Sequence, residues 1–392
     1  MLRSLVLPVY IPFFSGTLSW GMLIPVLPLY LADVGISVST IGVVLGAAGF
    51  GSLVGGLPVG SLLVRLGERS VALGSLAAIG ISAALLGIPE TAIVLIILQM
   101  TFGAGTAGLR LASQTWVTQR LDDNMRGRAM AAMGGSVRTG FLLGPLLGGV
   151  LVDLVGFTTT FLVAGSLTTI GLFSILRHRS EEGSAPKSPR KRPERGIIRT
   201  LKVHRRLLAK TAIVPILVLT VREGRQTVLP LIGEDLELSA TAVGALVAVG
   251  AAADLLLFPV SGILMDRFGR LWGMVPAFGL IALGLVALGF AWFARSLTGV
   301  VLAGVLMGIG NGMSAGSILT LGSDLAPKDA TAEFLAGLAA IQSIGRAIGP
   351  VIVGIVAGSI SLGFSAISLA FLSGFAILWL VFVIGETRRV PA

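Results

Sequence analysis

Long apolar stretches, each about the length of a membrane-crossing helix, recur along the whole 392-residue sequence. A helix needs about 20 mostly apolar residues to cross the ~30 Å hydrocarbon core of a bilayer. Apolar residues run continuously within each stretch rather than alternating with polar ones, which excludes an outer-membrane barrel. The pattern therefore predicts an all-α membrane protein with twelve transmembrane helices. These are predicted over residues 5–31, 38–64, 70–89, 91–118, 128–152, 157–176, 208–232, 239–265, 272–294, 296–321, 333–357 and 364–384.

The composition agrees with this pattern. Hydrophobic residues make up 54% of the chain and charged residues 12%, and the mean hydropathy is +0.95. A soluble domain carries about 25% charged residues. Half that charge at this hydropathy indicates an integral membrane protein whose surroundings are the lipid bilayer.

The charged residues of the loops predict the orientation of the chain, because basic loops stay on the cytoplasmic side of a membrane. The bases on one side are Arg65, Arg69, Arg120, Arg126, Arg128, Arg267, Arg270, Lys328, Arg388 and Arg389. The opposite loops hold the acids Asp33, Glu90, Asp153, Glu234, Asp235 and Glu237, with Arg295 as their one base. We therefore expect a multi-pass protein of the cytoplasmic (inner) membrane with both termini in the cytoplasm.

Most of the net charge of +10 lies in one polar segment between the sixth and seventh predicted helices. Its Pro-, Ser- and Arg-rich centre, residues 179–207, predicts a basic cytoplasmic linker between two six-helix bundles, residues 1–178 and 208–392. Its bases either bind anionic lipid headgroups or serve only to fix the topology. Nucleic acid is not an expected partner, since the segment is tethered between membrane spans and lacks interleaved aromatic residues.

The residue inventory excludes several classes of chemistry. There is no cysteine, and the two histidines, His178 and His204, both lie in the polar segment 177–210. A disulfide framework, a buried zinc site and an intramembrane histidine relay are therefore not expected. No nucleophile, base and orienting group can be assembled from the remaining residues, so the chain is not expected to be an enzyme or to hold a cofactor.

The two halves of the sequence resemble each other. Equivalent residues are separated by 202 positions at first and by 205 further on. Duplicated six-helix units are typical of transporters in which two bundles rock about a central site. Equivalent pairs include Pro28 and Pro230, Gly42 and Gly244, Arg65 and Arg267, Gly103 and Gly308, and Gly144-Pro145 and Gly349-Pro350.

Four motifs resemble those of the major facilitator superfamily, in particular its twelve-helix drug:proton antiporter branch. They are "GMLIPVLPLY" (21–30), "MRGRAM" (125–130), "GFLLGPLLGG" (140–149) and "GILMDRFGR" (262–270). The resemblance covers essentially the whole chain. It implies two pseudo-symmetric bundles, alternating access and proton-coupled multidrug efflux by a monomer, with the proton gradient rather than a cofactor as the energy source.

In "GFLLGPLLGG", glycine recurs every four residues, so one face of the helix has no side chains and a neighbouring helix can approach closely. Proline in the same turn removes a backbone donor and can bend the helix. Gly140, Gly144 and Pro145, with Gly349 and Pro350 in the second half, are therefore predicted to form a gating seam. Plain glycine packing is the alternative for the glycines.

The loop motif "GILMDRFGR" places Asp266, Arg267 and Arg270 at the cytoplasmic end of the eighth predicted helix. The resemblance implies that such a carboxylate latches the cytoplasmic side by accepting from a neighbouring helix N-terminus. In the first-half copy Val64 replaces the acid and Glu68 replaces a base, so Asp266 is the expected latch. The alternative is that these charges only fix the topology.

Seven charges fall inside predicted helices: Arg110, Arg138, Arg222, Glu223, Arg225, Asp254 and Arg346. Charges inside a membrane face a bundle interior or a watery cavity, because exposure to lipid is costly. None lies on helices 3, 6, 9 or 12, which in the resembled fold face lipid. This distribution, which played no part in the choice of fold, agrees with it.

Five intramembrane arginines face only two acids, and this excess predicts a site for anionic or zwitterionic amphiphiles, since guanidinium groups bind carboxylates and phosphates in pairs of hydrogen bonds. Alternatively, helix C-termini and carbonyl groups compensate the arginines. Tyr10, Phe13 and Trp116 are further candidates for the cavity wall. The predicted substrate-binding residues are Arg222, Arg225, Gln226, Arg110, Trp20, Arg346 and Gln342.

Proton coupling requires a carboxylate whose protonation responds to burial and to neighbouring charges. Asp254 lies near the predicted midplane, opposite the face that carries Arg222 and Arg225, and is the leading candidate; Glu223 is the second. Asp254 could instead be only a partner in a salt bridge.

The sequence as a whole predicts a secondary transporter that exports small amphipathic compounds in exchange for protons. An anion exchanger, an uptake carrier or a transporter of anionic lipid would share this architecture. A membrane receptor or scaffold without transport activity is the alternative from a different class.

Overall fold

The structure is a computed structural model that describes residues 5–88, 91–178, 203–328 and 330–387. The described chain consists of helices and short connections. Residues 179–202 of the predicted linker lie outside the described residues, as do Glu90, Arg388 and Arg389, which entered the prediction of topology.

The described part of the first half contains four long helices. A five-residue π-helix, Val6–Tyr10, leads into them. They are α1 (Ile11–Asp33), α2 (Val38–Leu85), α3 (Ala92–Arg120) and α4 (Asp123–Arg177).

The described part of the second half contains seven α-helices, and the π-helix Leu380–Ile384 follows the last of them. They are α5 (Arg205–Asp235), α6 (Ala240–Phe268), α7 (Arg270–Phe293), α8 (Leu297–Met313), α9 (Ser317–Leu325), α10 (Thr331–Ser359) and α11 (Leu362–Trp379).

Among the described residues, nine helical stretches are long and apolar enough to cross a membrane. This confirms a multi-pass integral membrane protein. α5 is not one of the nine, and it carries Arg222, Glu223 and Arg225 near its middle.

Two of the helices are much longer than a single crossing. At ~1.5 Å per residue, α2 spans roughly 70 Å and α4 roughly 80 Å. Each is broken by a glycine in the left-handed region, Gly67 (φ 76°) in α2 and Gly156 (φ 79°) in α4. Gly269 (φ 106°), which separates α6 from α7, is the repeat equivalent of Gly67. The halves therefore share this break as well as their sequence pattern.

The predicted span 296–321 is not one continuous helix. α8 ends at Met313 and α9 begins at Ser317, and between them Gly316 adopts a left-handed conformation (φ 76°). The serine hydroxyls around the break supply hydrogen bonds that the helix would otherwise make, which favours a turn. Position 111, the equivalent of Gly316 in the first half, is leucine, and α3 continues through it. The break is a feature of the second half alone.

The chain packs as two compact units. The first comprises the described residues within 1–36, 43–190 and 233–248, and the second those within 37–42, 191–232 and 249–392. The units largely follow the two predicted bundles, but each contains one short helix start from the other half of the sequence. In the second unit, Leu208 and Ala212 on α5 pack with Phe334 and Leu338 on α10, and this core holds the two helices side by side.

Candidate functional site

Arg222 on α5 binds the end of α8 in the second unit. Its Nη2 donates to Oγ of Ser314 at 2.7 Å and to the backbone oxygen of the same residue at 3.4 Å. Ser314 is the C-terminal cap of α8 and is buried. A helix C-terminus carries a partial negative charge, so the guanidinium compensates it. Arg222 therefore binds the chain at the break between α8 and α9.

Arg225 reaches the same helix two turns earlier. Its Nη1 donates to the backbone oxygen of Met307 at 3.1 Å. Asp254 on α6 and Glu223 on α5 both lie close enough to attract its positive charge. Arg225 therefore lies near both acids.

Asp254 is paired with a residue that the sequence analysis did not single out. Nδ2 of Asn311, in the last turn of α8, donates to Oδ2 of Asp254 at 2.8 Å. An amide in the apolar, glycine-rich stretch "GIGNGM" (308–313) was the available signal. It is weak, because the equivalent in the first half is Thr106, whose hydroxyl donates to Gly103 within its own helix.

Glu223 faces Arg346 on α10, with Oε1 and Nε separated by 3.9 Å. This distance gives an ion pair but is too long for a hydrogen bond. Within the described residues, Nε of Arg346 is buried without a hydrogen-bond partner. Gln342 lies one turn before Arg346 on α10, and Gln226 lies one turn after Glu223 and Arg222 on α5.

Five predicted site residues are thus linked in the second unit through α5, α6, α8 and α10. They are Arg222, Glu223, Arg225, Asp254 and Arg346. Three guanidinium groups against two carboxylates leave one formal positive charge, and the end of α8 offsets part of it. The excess is smaller than the five-to-two ratio of the sequence because Arg110 and Arg138 belong to the first unit.

The other predicted substrate residues lie in the first unit. Trp20 on α1 makes edge-to-face contacts with Phe141 (ring centroids 5.3 Å apart) and Phe102 (6.4 Å). Arg110 is half-buried on α3. Arg138 on α4 donates from Nη1 to the backbone oxygen of Gly134 at 3.3 Å.

The predicted gating seam is a close approach of helix backbones. A Cβ atom at Gly144 on α4 would lie 2.6 Å from Cα of Gly21 on α1, and one at Gly140 would lie 2.9 Å from the carbonyl carbon of Thr17. In the second unit, a Cβ atom at Gly349 on α10 would lie 2.8 Å from the backbone nitrogen of Gly224 on α5. The packing is therefore alike in both units, while the gating role stays a prediction.

In each unit, the start of one helix comes from the other half of the sequence. That helix start packs on the helical turn that contains the repeated glycine–proline pair. In the second unit, a Cβ atom at Gly42 on α2 would lie 2.5 Å from the backbone oxygen of Pro350. In the first unit, a Cβ atom at Gly244 on α6 would clash with the backbone oxygen of Pro145. The two pairs are repeat equivalents, so the contact is made twice.

Asp153 strengthens only the contact in the first unit. Its carboxylate accepts from the backbone nitrogens of Ala240 (3.1 Å) and Thr241 (2.8 Å) and so caps the N-terminus of α6. Its repeat equivalent in the second unit is Gly358, which packs on Ser39 at the start of α2. The contact in the second unit therefore lacks a carboxylate cap.

Among the residues that the structure describes, no helix N-terminus donates a hydrogen bond to Asp266, in contrast to the prediction. Its carboxylate pairs with Arg270 one turn later at 3.1 Å and is largely exposed. The N-terminus of α7 is capped instead by Glu386, which accepts from the backbone nitrogens of Arg270 (2.9 Å) and Leu271 (3.0 Å). Glu386 comes from the C-terminal segment, which carries no motif that would predict this contact.

The two basic residues of this motif differ in their surroundings. Nε of Arg270 also pairs with Asp324 at the end of α9, at 3.0 Å. The guanidinium of Arg267 lies 5.8 Å from the ring centroid of its neighbour Phe268. Arg270 therefore joins three carboxylate-bearing segments.

The first-half copy of the motif forms an ion pair of its own. Glu68, the repeat equivalent of Arg270, pairs with Arg120 at the end of α3. The guanidinium of Arg120 lies 4.4 Å from the ring centroid of Trp116, and that ring contacts His178 at 6.1 Å. Trp116 is therefore buried beneath this cluster. Burial, with Arg120 and Arg69 nearby, lowers the pKa of His178.

Comparison with known proteins places these features in a family. The sequence profile of the Major Facilitator Superfamily matches residues 9–222 and 211–392. An uncharacterized MFS-type transporter of Methanocaldococcus jannaschii is 21% identical over 93% of this chain and 92% of its own length. Multidrug resistance protein 1 of Bacillus subtilis is 25% identical over 43% of each chain. The crystal structure of a D-xylose-proton symporter has a TM-score of 0.75 at 17% identity, covering 99% of this chain and 98% of the other, which shows the shared fold.

Proposed function

This chain belongs to the Major Facilitator Superfamily, and from that premise we propose that it exports small amphipathic anions or zwitterions in exchange for protons. The proposal rests on one observation, the linked set of three arginines and two acids within the second unit. The similarity to Multidrug resistance protein 1 of Bacillus subtilis supports the direction of transport, and the D-xylose-proton symporter is a precedent for proton coupling on this fold.

Arg346 is the residue that we assign to the substrate anion. Arg222 and Arg225 already donate to the backbone of α8, whereas Arg346 has a 3.9 Å ionic contact with Glu223. An anionic headgroup offers the short hydrogen bonds that this contact lacks. Gln342, one turn away on the same helix, supplies a further donor and acceptor for the polar part of the substrate.

Asp254 and Glu223 are the two groups that we assign to the proton. Both act on Arg225, so protonating either one leaves that arginine with one negative neighbour instead of two. Exchange of a substrate for protons requires that each of the two binds more tightly when the other is absent.

We further propose twelve crossings and cytoplasmic termini. The breaks at Gly67 and Gly156 divide α2 and α4 into two crossings each, and α8 and α9 together form one. The remaining helices, including the charged α5, supply the others. An even number of crossings puts both termini on the side of the basic loops, in the cytoplasmic membrane, with transport by alternating access.

Ligand-induced stabilisation of the purified protein in a neutral detergent tests the substrate class. The matched ligands are ten-carbon alkyl sulfonate, alkyl sulfobetaine and alkyl trimethylammonium, which differ only in headgroup charge. We expect the sulfonate to raise the melting temperature of the wild type and of Arg65→Ala, an exposed control, but not that of Arg346→Ala. Stabilisation by trimethylammonium alone, lost in Asp254→Asn, would instead identify an exporter of cations.

A further inference from the structure

The last turn of α8 connects Asp254 to Arg222 by a chain of hydrogen bonds. Asn311 donates from Nδ2 to Asp254 at 2.8 Å, and its backbone oxygen accepts from Oγ of Ser314 at 3.0 Å. Oγ of Ser314 accepts in turn from Nη2 of Arg222 at 2.7 Å. The chain runs from a carboxylate on α6 through α8 to a guanidinium on α5.

We propose that Asn311 is a positioning residue that senses the charge of Asp254 and passes a change in that charge to Ser314 and Arg222. The inference rests on the proposed function in one respect, the assignment of Asp254 as a proton site. It adds to that assignment the residue through which protonation acts on the helix break.

An amide is suited to this task because it carries a donor and an acceptor of nearly the same shape. An ionised carboxylate only accepts, so Asn311 presents Nδ2 to it. In the described part of the chain, Oδ1 of Asn311 is buried and has no donor. A protonated Asp254 gains an O–H, and a half-turn of the amide brings Oδ1 round to accept from it. Asn311 therefore pairs with either form of the acid.

Charged residues near Asp254 also contact this part of α8. Arg225, Glu223 and Arg222 face this region from α5, and Arg346 approaches Glu223 from α10; α8 itself has no charged residue. Arg225 is held by the carbonyl of Met307, one turn before Asn311. Protonation of Asp254 thus changes its contact with the amide of Asn311 and weakens its attraction for Arg225. Asn311 and the carbonyl that holds Arg225 lie one turn apart on α8.

The pH dependence of the melting temperature tests the inference without a transport assay. The full-length protein is compared as wild type, Asp254→Asn, Asn311→Leu and Asn311→Gln, with Thr106→Val as the repeat-equivalent control. Removing a donor to the ionised acid favours its neutral form. Asn311→Leu is therefore expected to move the midpoint of the pH-dependent change in melting temperature to higher pH by about one to two units, the equivalent of one hydrogen bond to a charged group. Asn311→Gln keeps an amide and is expected to show a smaller shift than Asn311→Leu. Thr106→Val is expected to show the same pH dependence as the wild type.

Each contrary result has a distinct meaning. If Asn311→Leu follows the wild type while Asp254→Asn does not, the role of Asn311 is overturned and the proton site stands. If Asp254→Asn also follows the wild type, the proton site and the inference fall together. Asn311→Ala, which also lacks the amide, carries the comparison if Asn311→Leu cannot be purified; a pH dependence in Asn311→Ala that matches the wild type, while that of Asp254→Asn differs, would again overturn the inference.

Discussion

Glu68 forms an ion pair with Arg120, so an acid that follows the first segment of α2 meets a base at the end of α3. In the second unit the equivalent of Glu68 is the base Arg270, and it meets the acid Asp324 at the end of α9. Both halves of the duplicated chain therefore join the same two helical segments by an ion pair, but with opposite polarity. The first-half copy of the loop motif therefore has an ion pair here, although Val64 stands where the second half has Asp266.

This relationship predicts that charge reversal is tolerated better than charge removal. Glu68→Gln should lower the free energy of unfolding by about 0.5–1 kcal/mol, since Arg120 is 39% exposed and water screens the pair. The double variant Glu68→Arg with Arg120→Glu should recover most of this loss. Thermal unfolding in detergent checks both, with Arg65→Gln as an exposed control. A loss in Glu68→Gln no larger than in the control would show that the pair contributes nothing.

The histidine in the same cluster predicts a dependence on pH. Because the pKa of His178 is lowered in the folded protein, protonation favours the unfolded chain. Its contribution is present above the ordinary histidine pKa and is lost as the pH falls from that value through the lower pKa of the folded protein. His178→Gln should therefore flatten the loss of thermal stability on mild acidification. An unchanged pH profile in His178→Gln would contradict the burial of this ring against Trp116.

The cap that Asp153 provides on α6 predicts that shortening this side chain destabilises the protein. Asp153→Ala removes the acceptor for two backbone nitrogens and should cost about 1 kcal/mol, as for other N-cap losses. Asp153→Asn keeps one acceptor oxygen and should cost less. Differential thermal unfolding measures both changes, and Glu237→Gln, an exposed acid three residues before the helix, is the control. Equal melting temperatures for Asp153→Ala and this control would exclude a capping role.

The close packing of the two helix starts at Gly42 and Gly244 predicts that replacing either glycine with alanine destabilises the protein. Gly42→Ala and Gly244→Ala place a Cβ atom against the backbone of Pro350 and Pro145, and backbone cannot move aside cheaply. Each should cost about 1–3 kcal/mol, as overpacking does. The equivalent pair Gly60→Ala and Gly262→Ala meets nothing within 4 Å and should be neutral. Similar melting temperatures for all four variants would show that the close approach does not occur.

Much of the architecture follows from the sequence because its signals are local. Apolar stretches locate the helices, and the repeat places Gly67 and Gly269 at equivalent breaks. The glycine-rich faces around Gly144 and Gly349 predict close helix packing without knowledge of the partner. The membership of the Major Facilitator Superfamily, expected from four motifs, is confirmed by a match along almost the whole chain.

The contacts that set the candidate site do not follow from the sequence, because they join residues far apart in the chain. Asn311 is one amide in an apolar helix, and nothing nearby indicates that it faces Asp254, 57 positions away. The break at Ser314–Gly316 interrupts a stretch whose hydropathy is that of a continuous span. Glu386 replaces Asp266 as the cap of a helix N-terminus because the C-terminal segment returns to α7, which periodicity cannot reveal.

Exchange of an anion for protons is tested by the flux of a ten-carbon alkyl sulfonate into proteoliposomes that are acid inside, with the membrane potential clamped. A sulfonate stays ionised throughout, so it cannot carry the proton itself. We expect accumulation that collapses with a proton ionophore and is absent in Asp254→Asn, while that variant still exchanges internal for external sulfonate. Accumulation that is identical in the wild type and Asp254→Asn, or that occurs only with alkyl trimethylammonium, would contradict this expectation.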